Sequence, residues 1–388
     1  MAATAAPRDQ GGEAIVSATT ERLVDLLVEL VDMPCVTGDE KPIADWLAER
    51  YERRGDAVAR IGHSLVVGEV SDDRPVVLLV GHTDVVPPTD GDIPARVAGD
   101  TVIGRGTSDM KAGLAVAMDV YEDHTRHDGP VQLLLVAYAG EEGPAAGNEL
   151  RAVLDARPAL ADAALGIVLE PTDLQVQLGC MGGLHAHVVV RGRAAHSARP
   201  WQGRNALTAA APLLAALGTH EAVDRTVDGL PFRDVLTATR AWTDNAHNVV
   251  PDRFTINVNY RFAPDRTVAD AEAELQRMLA DLAGEEVDVT IVDRAPPAPP
   301  HREHPMVQAM AAAAAHRVAA KQAWTDVARL AAVGVPALNY GPGLTSQAHQ
   351  AGEYVPIANV THARSVLATF LASAGADRRR AGPPAIER

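Results

Sequence analysis

Three short apolar runs at residues 76–80, 131–139 (interrupted at Gln132) and 166–169 constrain this chain more than any other feature. Runs of that length, bounded by Gly and polar residues, read as strands buried on both faces, which is how the strands of a parallel sheet covered by helices appear. Helical spacing lies around and between them: Leu23, Leu26, Leu27, Leu30 and Val31 within 19–32, then 42–53, 110–121 and 147–156. Strands alternating with helices predict an α/β fold with a mostly parallel central sheet.

After Gly182-Gly183 the pattern changes. Residues from His185 alternate like a sheet open on one face, a helix follows at 203–217, alternation returns at 254–262, and 268–282 and 287–292 read as helix and strand. This block is expected to be an inserted α+β domain, an antiparallel sheet with two helices on one side. The proline-rich stretch 294–300 is a stiff connection out of it. A helix at 305–319, a strand at 336–340 and a helix at 359–374 complete the α/β pattern. The expected organisation is a catalytic domain at 1–182, the insert at 183–296 and the remainder of the catalytic domain at 297–388. The ends, to about Ser17 and from about Asp377, read as disordered tails.

A formal charge of −16 with no basic stripe excludes a nucleic-acid partner. Two cysteines, Cys35 and Cys180, make no disulfide framework and lack metal-ligand spacing. No signal-peptide core and no membrane-length apolar run is visible, so a cytoplasmic setting without a membrane partner is expected.

The chemistry is carried by His82, Asp84, Asp109, Glu141, Glu142, Glu170 and His349, placed where predicted strands give way to loops. Two histidines and several carboxylates, without cysteine, suit zinc first, with cobalt or manganese as alternatives. The set suits two such ions held close together around an attacking water. Asp84, two residues beyond His82, is placed to hydrogen-bond the other ring nitrogen of a ligating imidazole. Taken alone, His-x-Asp fits a capped loop histidine better, and Asp109 before a helix fits an N-cap. Lys111 is expected in solvent or beside a ligand. The adjacent pair Glu141-Glu142 at the end of an apolar strand is the hardest to explain structurally, because two carboxylates there repel unless a cation compensates. Glu142 is read as a ligand and Glu141 as general base and then acid. Glu170 in GIVLEPTD and His349 in GPGLTSQAHQAGEYV would complete the set.

Together these segments resemble the M20 metallopeptidase family, which includes succinyl-diaminopimelate desuccinylase, acetylornithine deacetylase, aminoacylase and glutamate carboxypeptidase. The resemblance spans about 19–374 and implies a dizinc catalytic domain with an inserted domain that mediates homodimerisation. It implies Asp109 as the bridging ligand, His82 and Glu170 on one metal, Glu142 and His349 on the other. His196, in RGRAAHSARPWQGRN, looks like the family histidine that the insert sends into the opposite subunit's site to stabilise an oxyanion; without the family it reads as an ordinary loop histidine.

Within the family the likeness is greatest to desuccinylases of the actinobacterial type, carried by AAHSARPWQGRNAL, HNVVPDRFTINVNYRFAPDRTV, AWTDVARLAAVGVPALNYGPG and the EPT at Glu170. Asn248 and Arg261 match positions that hold the substrate's carboxylate end, although Arg261 could instead pair with Asp252 or Asp265. Arg199 and Arg329 are further candidates for a small N-acyl amino acid substrate. Leu344 and Thr345 depart from the acidic residue usual in relatives, so another acyl amino acid remains an alternative to the succinyl substrate. A non-catalytic binding homologue is a third reading, against which the intact Glu141 and full ligand set weigh.

Overall fold

The computed structural model describes residues 10–374 apart from 34, 90, 126–128 and 284–286, with the side chains of 10–17 also left aside. Met1–Gln177, Arg302–Val318 and Arg329–Arg388, as far as they are described, form one compact unit, and Leu178–His301 with Ala319–Ala328 form the other. The second unit runs from 178 to 301, where the sequence pattern leads one to expect 183 to 296, and it also takes in 319–328.

The first unit is built on the apolar runs. Val76–His82, Gln132–Tyr138 and Leu165–Val168 are buried along their whole length. They lie in an eight-stranded sheet whose order is 58–61, 64–67, 132–138, 76–82, 165–168, 337–339, 176–178 and 318–320. The four strands 132–138, 76–82, 165–168 and 337–339 run parallel and nearly level, with His82 opposite Tyr138, Val80 opposite Val168 and Val168 opposite Asn339. Their C-terminal ends therefore open on one edge, the place where α/β sheets collect ligands. The fold is mixed α/β with a largely parallel central sheet.

The helix Gln10–Asp32 begins earlier than the periodicity at Thr19 shows, so part of the expected N-terminal tail is helical. The expected C-terminal tail lies outside the described residues. Helix Pro305–Ala313 stops short of Ala319 because Ala315 and His316 take left-handed backbone angles, φ 52° and 59°, which a helix cannot continue through. No described helix is long and apolar enough to cross a membrane.

The second unit has five antiparallel strands in the order 223–227, 230–242, 253–262, 182–191 and 287–295. Leu184, Ala186, Val188 and Val190 alternate onto one face, where they pack with Ile256, Val258 and Phe262, with Leu213 and Leu217 of Ala211–Thr219, and with Leu275 and Leu279 of Val268–Ala283. Two strands escaped the sequence pattern, Val223–Val227 and Leu230–Trp242. The longer strand buries Leu230, Phe232, Asp234 and Leu236 on alternate positions, then shifts register between Ala238 and Arg240. A charged residue at an inward position and a bulge erase the period-two signal.

Asp234 is inward because it is fully partnered. It accepts from the Ala263 amide at 2.7 Å and from Arg225 Nε at 3.1 Å, and pairs with Arg266. Asp234→Ala should lower the unfolding free energy by about 3 kcal/mol, the cost of stranding a buried partner, read by denaturant unfolding. Asp234→Asn, which keeps an acceptor for Ala263, should cost less.

Candidate metal centre

His82 is the last residue of strand Val76–His82, and its ring is fully buried. Asp109 lies in the wide turn Thr107–Lys111 that enters helix Ala112–His124, with extended angles of φ −120° and ψ 93°. That helix is capped at Lys111 with no side-chain hydrogen bond, so Asp109 is not an N-cap. The close approach of helix and sheet depends on Gly113, where a Cβ would stand 2.1 Å from the Leu169 carbonyl oxygen. Lys111 is not solvated: it is buried, and its ammonium donates to the carbonyls of Leu30 at 2.7 Å and Met33 at 3.3 Å. A cation at the end of helix Gln10–Asp32 meets the negative pole of that helix.

Two triads meet at Asp109. His82, Asp109 and Glu170 have ligand atoms all within 4.8 Å of one another, and so do Asp109, Glu142 and His349. In the first, His82 Nε2 stands 3.3 Å from Asp109 Oδ1 and 3.9 Å from Glu170 Oε1. In the second, His349 Nε2 stands 2.9 Å from Glu142 Oε2 and 3.6 Å from Asp109 Oδ2. The two carboxylate oxygens of Asp109 thus face different triads. Glu141 joins His82 and Glu142 in a third group of the same radius.

Asp84 acts through other atoms than its spacing predicts. The second ring nitrogen of His82 is 3.0 Å from the Asp84 backbone carbonyl and 3.6 Å from its side chain. The carboxylate accepts instead from the amides of Glu141 and Glu142, each at 3.0 Å, and from Thr37 Oγ1 at 2.8 Å. It holds the acidic pair by its backbone.

Electrostatics show what the cluster lacks. Burial disfavours the His82 imidazolium, yet the hydrogen bond it donates to Asp109 and the charges of Glu141, Glu170 and Asp84 outweigh it and raise its pKa well above the ordinary value. Burial, then the charges of Asp109, Asp84 and Glu353, push Glu142 up to about 7 against the pull of His82. Crowded carboxylates that take up protons are sites for positive charge. The nitrogen and oxygen donor set, split into two triads around one shared carboxylate, fits two divalent cations.

The remaining candidates divide between the two units. Arg329 is in the first unit, its guanidinium donating to the Ala145 carbonyl at 3.2 Å. His196, Arg199, Asn248 and Arg261 belong to the second unit. There His196 pairs with Val249 across a short ladder, the Ser197 amide donates to the Asn248 carbonyl at 2.9 Å, and the Arg199 amide donates to the His196 carbonyl at 2.8 Å. All three side chains are exposed. Arg261 is half-buried on the sheet, its Nε donating to Asn259 Oδ1 at 3.1 Å. Among the described residues it pairs with neither Asp252 nor Asp265, and Asp265 is engaged by Arg266 at 3.3 Å. Sequence reading passed over Glu353 and Arg105, both buried behind Asp109. The only signal for Glu353 was an acidic residue opening the apolar stretch YVPI.

The pattern of Peptidase family M20/M25/M40 matches residues 78–373. The chain belongs to this family. Membership makes it a hydrolase of amide bonds. A Mycobacterium tuberculosis protein provisionally named succinyl-diaminopimelate desuccinylase is 37% identical over 350 residues, 90% of this chain and 97% of its own length. The succinyl-diaminopimelate desuccinylase of Corynebacterium glutamicum is 33% identical over 356 residues, 89% of this chain and 95% of its own. Among solved structures, a Bacillus subtilis protein described as a dinuclear metal binding peptidase from the M20 family superposes with a TM-score of 0.66 at 14% identity, covering 92% of this chain and 99% of that one. It shares the fold.

In protein stripped of metal, Glu142 and His82 both bind protons more tightly folded than unfolded. Their contribution to stability is complete below the ordinary pKa and is lost as pH rises through the folded one. For Glu142 the window runs from the ordinary 4.5 to about 7. Chelated wild type should therefore lose stability across that range, and Glu142→Gln should flatten the loss by on the order of 2 kcal/mol. Equal slopes in the two proteins, followed by thermal unfolding, would contradict the assignment.

Proposed function

We propose that this M20 hydrolase binds two divalent cations, zinc first and cobalt or manganese as alternatives, and removes the succinyl group from N-succinyl-LL-diaminopimelate. The observation that supports the chemistry is the pair of triads sharing Asp109, with Glu141 beside them. The observation that supports the substrate is the 33–37% identity, over about nine-tenths of the chain, to proteins named for that reaction.

His82, Asp109 and Glu170 would hold one cation, and Asp109, Glu142 and His349 the other. When bound, such a pair polarises a carbonyl and lowers the pKa of water. Glu141 supplies the proton traffic. Its carboxylate takes a proton from the attacking water as the new carbon–oxygen bond forms, and returns it to the nitrogen as the amide bond breaks. Amide and water become a carboxylate and a free amine. Asp84 fixes the backbone from which Glu141 and Glu142 project, through the two 3.0 Å amide bonds.

His196 is proposed to donate to the oxyanion from the second unit of a partner copy in a homodimer. Its exposure is consistent with a role outside its own unit. Arg261 is proposed to grip a substrate carboxylate. Its guanidinium is half-buried with a side-chain amide and, among the described residues, no carboxylate as hydrogen-bond partner, and burial lowers its pKa, so an anionic group would compensate it. Asn248, Arg199 and Arg329 are kept as further contacts.

A second reading keeps the mechanism and changes the acyl amino acid. Leu344 and Thr345 stand beside the Asp109 turn, where the Leu344 amide donates to Ser108 Oγ at 3.1 Å and Thr345 Oγ1 donates to Asp173 at 2.5 Å. This loop brings an apolar and a neutral side chain where the family resemblance leads one to expect an acidic one, and that departure is what a specialised deacylase would rest on.

Glu141→Gln should keep both metals and the fold while turnover falls about 10²- to 10⁴-fold; near-normal turnover would overturn the role of Glu141. For the zinc-loaded wild type, kcat/KM on N-succinyl-LL-diaminopimelate should exceed about 10⁴ M⁻¹s⁻¹, with N-acetylornithine far poorer. Preference for another acyl amino acid would select the second reading.

A further inference from the structure

The two triads are fixed by different means. His82 and Glu170 stand at the ends of neighbouring parallel strands, with the Leu169 amide bonded to the Val80 carbonyl at 2.9 Å. The sheet sets their spacing. His349 has no such support: it lies in the loop between strands Ala337–Asn339 and Tyr354–Pro356, its side chain is 53% exposed, and its backbone takes a left-handed φ of 63°. Something else must hold its loop against Asp109.

That link is a buried ionic network. Glu353 lies four residues beyond His349, and its side chain is 1% exposed. One carboxylate oxygen accepts from the amides of Ser108 at 2.7 Å and Asp109 at 2.9 Å. The other accepts from the Gly106 amide at 2.9 Å and from Arg105 Nη1 at 3.0 Å. Arg105, 2% exposed, also donates to the carbonyl of Gln350, the residue after His349, at 3.1 Å, and to Asp92 at 3.0 Å. Asp92 closes the circuit by accepting from the Gly352 amide at 2.8 Å. Apart from the Arg105–Asp92 pair, which ties the Asp109 turn to the Asp92 loop, every bond joins one of these two segments to the loop carrying His349. Gly106 makes the turn possible, with φ 82° and a position where a Cβ would meet Val85 at 2.5 Å.

We propose that Glu353 is a positioning residue that sets the distance between Asp109 and His349, so that its loss weakens the cation site of Asp109, Glu142 and His349 selectively and spares that of His82, Asp109 and Glu170. This rests on the two-cation reading. Four donors converge on one buried carboxylate, so its removal strands three amides and leaves Arg105 with Asp92 as its one carboxylate partner among the described residues. Charge-assisted bonds of this kind are short and directional, which suits them to fixing a spacing. The sheet continues to hold His82 and Glu170.

The test is equilibrium dialysis of the full chain against zinc, counting bound ions and fitting two affinities. Wild type should hold two ions. E353A should hold one as before and bind the second about 10- to 100-fold more weakly, the range seen when groups orienting metal ligands are removed, with E353Q in between because it keeps one acceptor oxygen. R364A, which breaks ion pairs to Asp119 and Asp123, is the control for general destabilisation and should hold two. Two ions at unchanged affinity in E353A, or loss of both together, would overturn the proposal. If E353A lacks a native circular dichroism spectrum, E353Q decides by the same criteria. Fewer than two ions in wild type would instead reject the two-cation reading beneath it.

Discussion

Repulsion among carboxylates is the constraint from which the rest of this structure follows. Asp109, Glu141, Glu142 and Glu170 converge on the edge where four parallel strands end, with His82 and His349 among them. In an environment of low polarity such a gathering is costly unless positive charge enters. The raised pKa values of His82 and Glu142 are that cost expressed as proton uptake. Cations remove it more completely than protons, because one ion satisfies several oxygens at once. The same charge that stabilises the site would activate water there.

A cluster of this kind needs a scaffold that does not relax. The parallel ladder supplies it for His82 and Glu170, and Asp84 supplies it for the Glu141-Glu142 turn by clamping both amides. Arg105, Asp92 and Glu353 extend the scaffold to the loop bearing His349. Asp84, Asp92 and Glu353 are buried with both carboxylate oxygens accepting hydrogen bonds, the condition under which such burial is tolerated. Ligands drawn from residues 82 to 349 are held to distances of about 3–4 Å by bonds that mostly run through the main chain.

The sequence revealed those parts that obey a simple period. Runs at 76–80, 131–139 and 166–169 became strands Val76–His82, Gln132–Tyr138 and Leu165–Val168, because burial on both faces demands continuous apolar residues. Strand Leu230–Trp242 was hidden, since Asp234 faces inward and is neutralised by arginines distant in sequence, and no local pattern announces such partners. At the site, residue types suggested metal ligands, and it was the family resemblance that implied how His82, Glu170, Glu142 and His349 would divide around Asp109. Atomic roles did not follow from spacing: His-x-Asp placed Asp84 beside His82 correctly, yet the ring meets its carbonyl and the carboxylate serves other amides. Glu353 was invisible for the same reason, as its four donors belong to a segment some 245 residues away.

The central claim is that Asp109 stands between two cations. Anomalous diffraction from crystals of the zinc-loaded protein, collected at the zinc edge, tests it directly. The account predicts two peaks about 3.5–4 Å apart, one flanked by His82 and Glu170, the other by Glu142 and His349, with one Asp109 oxygen toward each. A single peak, or a pair that leaves Asp109 to one side, would contradict it.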